Sequence, residues 1–195
     1  SVVDVVSAVP DVFSSDNCFV FIDGSDSHAD DLEAFLAANG DYIESWVELG
    51  GKLLLNSAPN EGDGMSFGFD GTTLTYPYFT SNATAVDAAH PIFNGPFTPA
   101  GTDYTGGSFG HATVSGTGYT NLMVDLFAPD NVVLAEKAWG AGRVVVGGMT
   151  TNNFHSPLEN AANLRANIIA YLSCMEILFC ETPGAGFGRD PRPLE

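Results

Sequence analysis

The sequence predicts an α/β domain: a layered, mostly parallel β-sheet with an antiparallel hairpin and an insertion rich in loops and strands. Three observations carry this expectation. Two apolar runs, Phe19–Asp23 and Lys52–Asn56, have strand length and lack polar alternation, as strands do when both faces are covered. Helical periodicity fills the chain between them, and strand, helix and strand in that order imply a parallel pair with a right-handed crossover. Finally, the turn Trp139-Gly140-Ala141-Gly142 joins the strand-like stretches 132–137 and 143–148 into a hairpin.

Taken in order, residues 2–6 can form an early strand. After Phe19–Asp23, Ser27 is placed to cap a helix with Asp30 in its first turn and Leu32, Phe35 and Leu36 as its apolar stripe. Asn39-Gly40 is a stop signal. Asp41 and Glu44 then open a second helix, with Ile43, Trp46 and Val47 on one face and Gly50-Gly51 as its end. Residues 59–131 change character to Gly, Thr, Ser and aromatics, the composition of short strands and ordered loops inserted into the domain. Their rings can stack on a sugar, although filling the space beneath loops is the commoner use. The closing helix has Ser156 as cap, Pro157 as first residue and Glu159 completing a capping box, with Leu164, Ile168, Tyr171 and Leu172 as the buried stripe. The expected domain covers 1–180, followed by a Pro/Gly-rich tail at 181–195.

Composition bounds the setting. Of 195 residues 45% are hydrophobic, enough for a full core, and 24 acidic residues against six basic ones leave a net charge of −18. Phosphate neutralisation needs Lys and Arg, so nucleic acid and anionic membrane surfaces are poor partners. Neutral hydroxylated ligands, cations, or the other domains of a larger surface protein suit this surface better. No apolar run reaches the ~18 residues of a membrane span. Scarce lysine, 22 glycines and the sequon Asn82-Ala83-Thr84 suggest an extracellular, cell-surface or periplasmic location. Cys18, inside an apolar run, reads as a buried free thiol, while Cys174 and Cys180 bracket a short apolar stretch and can close a disulfide loop.

Several motifs resemble the class I glutamine amidotransferase-like superfamily. They are Trp46-Val47-Glu48-Leu49-Gly50-Gly51-Lys52-Leu53-Leu54-Leu55, His90-Pro91-Ile92-Phe93-Asn94-Gly95, and the hairpin 139–148 followed by a histidine-bearing loop and a helix. The nearest flavour is the non-amidotransferase branch of trehalose-utilisation-type proteins and secreted bacterial domains. The resemblance implies a flavodoxin-like layered sheet. It does not carry the activity over, because the position of the superfamily's cysteine nucleophile here reads Asn56-Ser57-Ala58-Pro59-Asn60-Glu61-Gly62.

In open α/β sheets the ligand crevice lies beyond the carboxyl ends of the parallel strands. Three loops should meet there, contributing Asp23, Ser25, Asp26 and His28 from the first, Asn56, Ser57 and Asn60 from the second, and Thr150, Asn152, Asn153 and His155 from the third. Small hydroxyl and amide side chains of this kind bind neutral hydroxylated ligands. Ser57, His155 and Glu159 fall in the superfamily's order for nucleophile, base and orienting acid, which would make a serine hydrolase. Each also has an ordinary explanation as turn residue, neighbour of a cap and capping partner. Pro59 supplies no amide for an oxyanion, so the expectation is that Ser57 and His155 are not hydrogen-bonded. The leading reading is therefore a non-catalytic binding or surface-protein module, with a structural adhesin or filament module as a further alternative. Asp23, Asp26 and Asp30 are spaced either as calcium ligands or as acidic residues at a helix N-terminus.

Overall fold

The computed structural model describes residues 5–173. Helix α1 (Val5–Val12) precedes strand β1 (Phe19–Asp23), helix α2 (Ala29–Glu48) and strand β2 (Lys52–Asn56). Six strands follow in succession: β3 (Gly64–Gly68), β4 (Thr72–Thr75), β5 (Thr80–Ala85), β6 (Asp103–Gly110), β7 (Thr113–Ser115) and β8 (Thr120–Asp125). The hairpin β9 (Val132–Trp139) and β10 (Gly142–Gly147), a 3-10 turn (Asn152–Phe154), the short β11 (His155–Ser156) and helix α3 (Leu158–Leu172) complete the chain.

All eleven strands join one sheet, in the order β1-β2-β10-β9-β8-β5-β6-β11, with β3, β4 and β7 branching beside β9. Between the named strands parallel pairing is confined to β1–β2 and β2–β10, with an isolated parallel bridge between Asp26 and Pro59 just beyond β1 and β2. Every other pairing of two described strands is antiparallel. This corrects the expected flavodoxin-like, mostly parallel layered sheet: the fold is a mixed, curled sheet dominated by antiparallel strands, with few helices. A doubly wound fold needs a helix after nearly every strand, whereas β3 to β8 follow one another without one. The stretch 59–131 therefore supplies half of the sheet itself, with β8 bonding directly to the hairpin strand β9.

The curl has a local cause. The chain leaves β10 and crosses to the far end of the sheet, where β11 pairs with β6, and Met149 bridges Gly110 on the way. Gly106 permits this approach, since a Cβ there would stand 2.0 Å from the carbonyl oxygen of Phe154.

The apolar runs of the central strands divide between two cores. Leu53, Leu55, Val144 and Val146 face α2 with Leu32, Leu36, Ile43, Trp46 and Val47. Leu54 and Val145 face α3 with Leu164, Ile168 and Leu172. Each such side chain contributes about 1.5–3 kcal/mol when fully buried, and this burial overrides the local stop signals. Helix α2 runs unbroken through Asn39-Gly40 instead of splitting in two, because its buried face continues from Leu36 to Ile43. The cost of an internal glycine, about 1 kcal/mol, is smaller than that of exposing either half.

Other local expectations are corrected as well. Residues 5 and 6 belong to α1, not to an early strand. Ser27 does not cap α2; the Glu61 carboxylate, from the loop after β2, accepts from the amides of Ala29 (3.1 Å) and Asp30 (3.4 Å). No side-chain hydrogen bond caps α3, so the Ser156–Glu159 box is not formed: Ser156 is used as a strand residue opposite Thr105, and the helix begins at Leu158. Cys18 is disulfide-bonded, not a free buried thiol. Cys174, Cys180 and the tail 181–195 lie outside the described residues. Among the described residues no helix is long and apolar enough to cross a membrane.

Candidate functional site

Strands β1, β2 and β10 end in register at Asp23, Asn56 and Gly147. Asn56 ties the three ends together. Its amide donates to the Met149 carbonyl (2.9 Å) and to Asp23 Oδ1 (3.2 Å), and its oxygen accepts from the Met149 amide (3.0 Å). Asp23 Oδ1 also accepts from Ser25 Oγ at 2.6 Å, and Ser25 Oγ accepts from the Ala58 amide at 2.9 Å. The first two loops are then joined by backbone bonds, Asp26 amide to Ala58 carbonyl and Asn60 amide to Asp26 carbonyl, both 3.0 Å. The Asn60 side chain donates to Asp26 Oδ1 at 2.8 Å. Short polar side chains at the strand ends thus make a preformed rim.

The third loop is fastened to β6. The Thr150 amide donates to Phe109 O and the His111 amide to Gly148 O, both at 3.0 Å. Behind the loop lies a buried polar chain. Arg165 donates to the Thr150 carbonyl, to Ala161 O (3.2 Å) and to His155 Nδ1 (3.3 Å). A guanidinium can only donate, so Nδ1 accepts and the His155 proton sits on Nε2, which donates to Thr150 Oγ1 at 2.7 Å. Thr150 Oγ1 in turn donates to the Ser108 carbonyl at 2.6 Å. The imidazole is 4% exposed and stacks on Phe109 with centroids 4.3 Å apart.

Burial, and secondarily the Arg165 charge, hold the His155 pKa down at about 4, against an ordinary 6.5. Burial likewise lowers Arg165 to about 10. Between pH 6.5 and 4 the unfolded chain binds a proton on this histidine that the folded chain refuses. The stabilisation is therefore complete above pH 6.5 and is lost as the pH falls toward 4. In urea unfolding, the stability gap between wild type and His155→Gln should shrink by about 2.5 kcal/mol from pH 7 to pH 4.5. Parallel pH profiles for the two proteins would refute the buried neutral imidazole.

These elements enclose a cleft of about 300 Å3 at the strand ends. Ser25, Asp26 and Asn60 line one side, Ser108 and His111 the other, and Thr151 and Phe154 the mouth. Phe154 is 55% exposed, a large cost for an aromatic ring unless something covers it. His111 Nδ1 donates to the Pro59 carbonyl at 2.9 Å, leaving Nε2 for a ligand, and Phe79 packs edge-on against its ring at 5.0 Å. An adjoining recess of about 180 Å3 is lined by Asp23, Asn56, Thr150, Asn152 and Arg165 among apolar walls.

Of the residues picked from sequence, Ser25, Asp26, Asn60 and Thr150 meet in the cleft, and Asp23, Asn56 and Asn152 in the recess. His28 and Asn153 line neither. Ser57 is fully buried and donates to the Gly24 carbonyl at 2.7 Å. Glu159 stands exposed on α3, so no Ser57–His155–Glu159 triad is assembled. Among the described residues no group of three or more His, Cys, Asp or Glu side chains is gathered to hold a metal ion. Asp23 and Asp26 are engaged in the loop network, and Asp30 lies in the first turn of α2. The ligand-binding residues named from sequence do not include Ser108, His111, Phe154 and Arg165, which line the cleft and the recess. Phe154 was the most accessible of these, as an aromatic beside His155 in the third loop. The β6 wall gives no local signal, because its place depends on pairing with β11 far along the chain.

No family model matches the chain, and no curated protein matches it. Among solved structures it is similar to a cold-adapted β-galactosidase from Rahnella sp. R3, at 11% identity and a TM-score of 0.49 over 80% of this chain. A β-galactosidase from Bacillus circulans sp. alkalophilus is similar at 14% identity and a TM-score of 0.44 over 78% of the chain. A cytoplasmic protein of Salmonella typhimurium is similar at 16% identity and a TM-score of 0.43, over 79% of this chain and 71% of that one. The chain spans 22% of the length of each of these two β-galactosidases.

Proposed function

We propose that this domain is a non-catalytic binding module for a neutral, hydroxyl-rich ligand, a glycan, held in the strand-end cleft. The observation that supports this most is the pairing of an exposed Phe154 ring with hydrogen-bonding groups across a preformed cleft: Asp26, Asn60, Ser108 and His111. A sugar offers an apolar face to stack on the ring and hydroxyls to donate to the carboxylate. Among the described residues no lysine or arginine lines this cleft, and the net charge of −18 opposes anionic polysaccharides. A disulfide at Cys18 favours work outside the reducing cytoplasm, as part of a larger surface protein.

Calorimetric titration with soluble galactan, mannan and β-glucan, with polygalacturonate as the anionic control, tests this reading. At least one neutral polymer should bind and polygalacturonate should not. Phe154→Ala should weaken binding about tenfold, the equivalent of ~1.4 kcal/mol of lost stacking. Failure of every neutral polymer, or binding indifferent to Phe154→Ala, would sink the proposal.

A further inference from the structure

The recess of about 180 Å3 that adjoins the strand-end cleft differs from it in chemistry. Its walls include the buried Leu54, Met149 and Ile168 together with Phe21 and Ile169, which are 49% and 44% exposed. Phe21 stands on β1 and Ile169 on α3, so two elements far apart in the chain bring large apolar side chains to one hollow. A single exposed apolar residue is unremarkable, but two flanking the same apolar hollow mark a surface that a ligand covers.

The polar groups in these walls are already engaged by the protein. Asn56 uses both ends of its amide on Met149 and Asp23. Thr150 Oγ1 lies between His155 Nε2 and the Ser108 carbonyl, and Arg165 donates to Thr150, Ala161 and His155. Asp23 and Arg165 carry opposite charges, so the walls hold no net charge to select an ion. The group that suits this hollow is neutral, apolar and short of hydrogen-bonding demands.

Size narrows the class further. An apolar cavity of about 150 Å3 takes up benzene, so the recess, at about 180 Å3, holds one six-membered aromatic ring, whereas a methyl group would leave most of it empty. Thr150 and Thr151 line both the recess and the cleft, which places such a ring next to whatever the cleft holds. We propose that the recess is a subsite for an aromatic ring carried on the sugar, and that the ligand of the cleft is an aryl glycoside. This rests on the glycan reading above and adds the substituent to it.

Calorimetric titration of the full chain with the methyl and phenyl glycosides of galactose, glucose and mannose tests the subsite. For at least one of these sugars the phenyl glycoside should bind about tenfold tighter than the methyl glycoside, as burial of one ring in an apolar wall predicts. Phe21→Ser combined with Ile169→Ser removes the two exposed apolar walls and spares the buried ones, and should cut that preference below about threefold. In NMR spectra of the complex, the phenyl protons should show nuclear Overhauser contacts to the methyl groups of Leu54 and Ile168. Neutral polymers that bind while no phenyl glycoside is preferred would overturn the subsite and leave the glycan reading standing. Ring contacts to Phe154 in place of Leu54 and Ile168 would do the same, by seating the ring in the cleft. Failure of every glycoside and every neutral polymer would overturn the glycan reading, and the subsite with it.

Discussion

Gly106→Ala should collapse the candidate site while the neighbouring Gly107→Ala, which adds a methyl to the cleft wall without touching another protein atom, leaves the fold intact. A Cβ at Gly106 would meet the Phe154 carbonyl oxygen at 2.0 Å and the His155 Cα at 3.1 Å, both in the segment that pairs with β6. These are main-chain atoms and cannot swing aside as a side chain would. Relief requires β11 to leave β6, which carries Phe154 and His155 with it and opens the cleft. The expected cost is at least about 3 kcal/mol, at or above the upper range for overpacking. A Cβ at Gly107 meets nothing within 4 Å, so this second variant controls for the generic effect of alanine in a strand. Thermal melts of the pair, with polysaccharide titration of Gly106→Ala against the unaltered chain, decide the matter. Equal stability of the two variants and unaltered binding by Gly106→Ala would mean that the β6–β11 contact does not hold the site together.

Arg165→Met should destabilise the fold by about 3 kcal/mol at pH 7, because it strands the Thr150 carbonyl and His155 Nδ1 without a donor. Burial works against the guanidinium, lowering its pKa to about 10, so a neutral side chain recovers some desolvation energy. The lost hydrogen bonds outweigh that gain, since methionine supplies no donor for either acceptor. The variant also removes the positive charge that helps to keep His155 neutral. The His155 pKa, followed by NMR of its ring protons, should therefore rise from about 4 toward 6.5. Unchanged stability together with an unmoved His155 would show that Arg165 is not what sets this loop.

The polar identity of the site was legible because it sits where short-range rules apply. Asp23, Ser25, Asn56 and Asn60 follow apolar runs, and in any sheet with adjacent parallel strands the residues after the strands converge. Ser57 and His155 were visible as chemistry but not as geometry. Whether a hydroxyl faces a cleft or the Gly24 carbonyl depends on a loop conformation that one sequence does not announce.

By itself the sequence determined the central strands and the hairpin, because continuous apolar runs must be buried on both faces wherever they go. It also determined the acidic surface and the hydrogen-bonding character of the strand-end loops. Only the tertiary structure decided that α2 is one helix, that α3 begins without its capping box, and that residues 59–131 extend the sheet instead of sitting on it. The physical reason is the same in each case. Caps, glycine stops and turn signals are worth about 1 kcal/mol each. The burial of Leu36, Ile43 and Trp46, or the pairing of β8 with β9 and of β11 with β6, is worth several times that and acts between residues far apart in the chain.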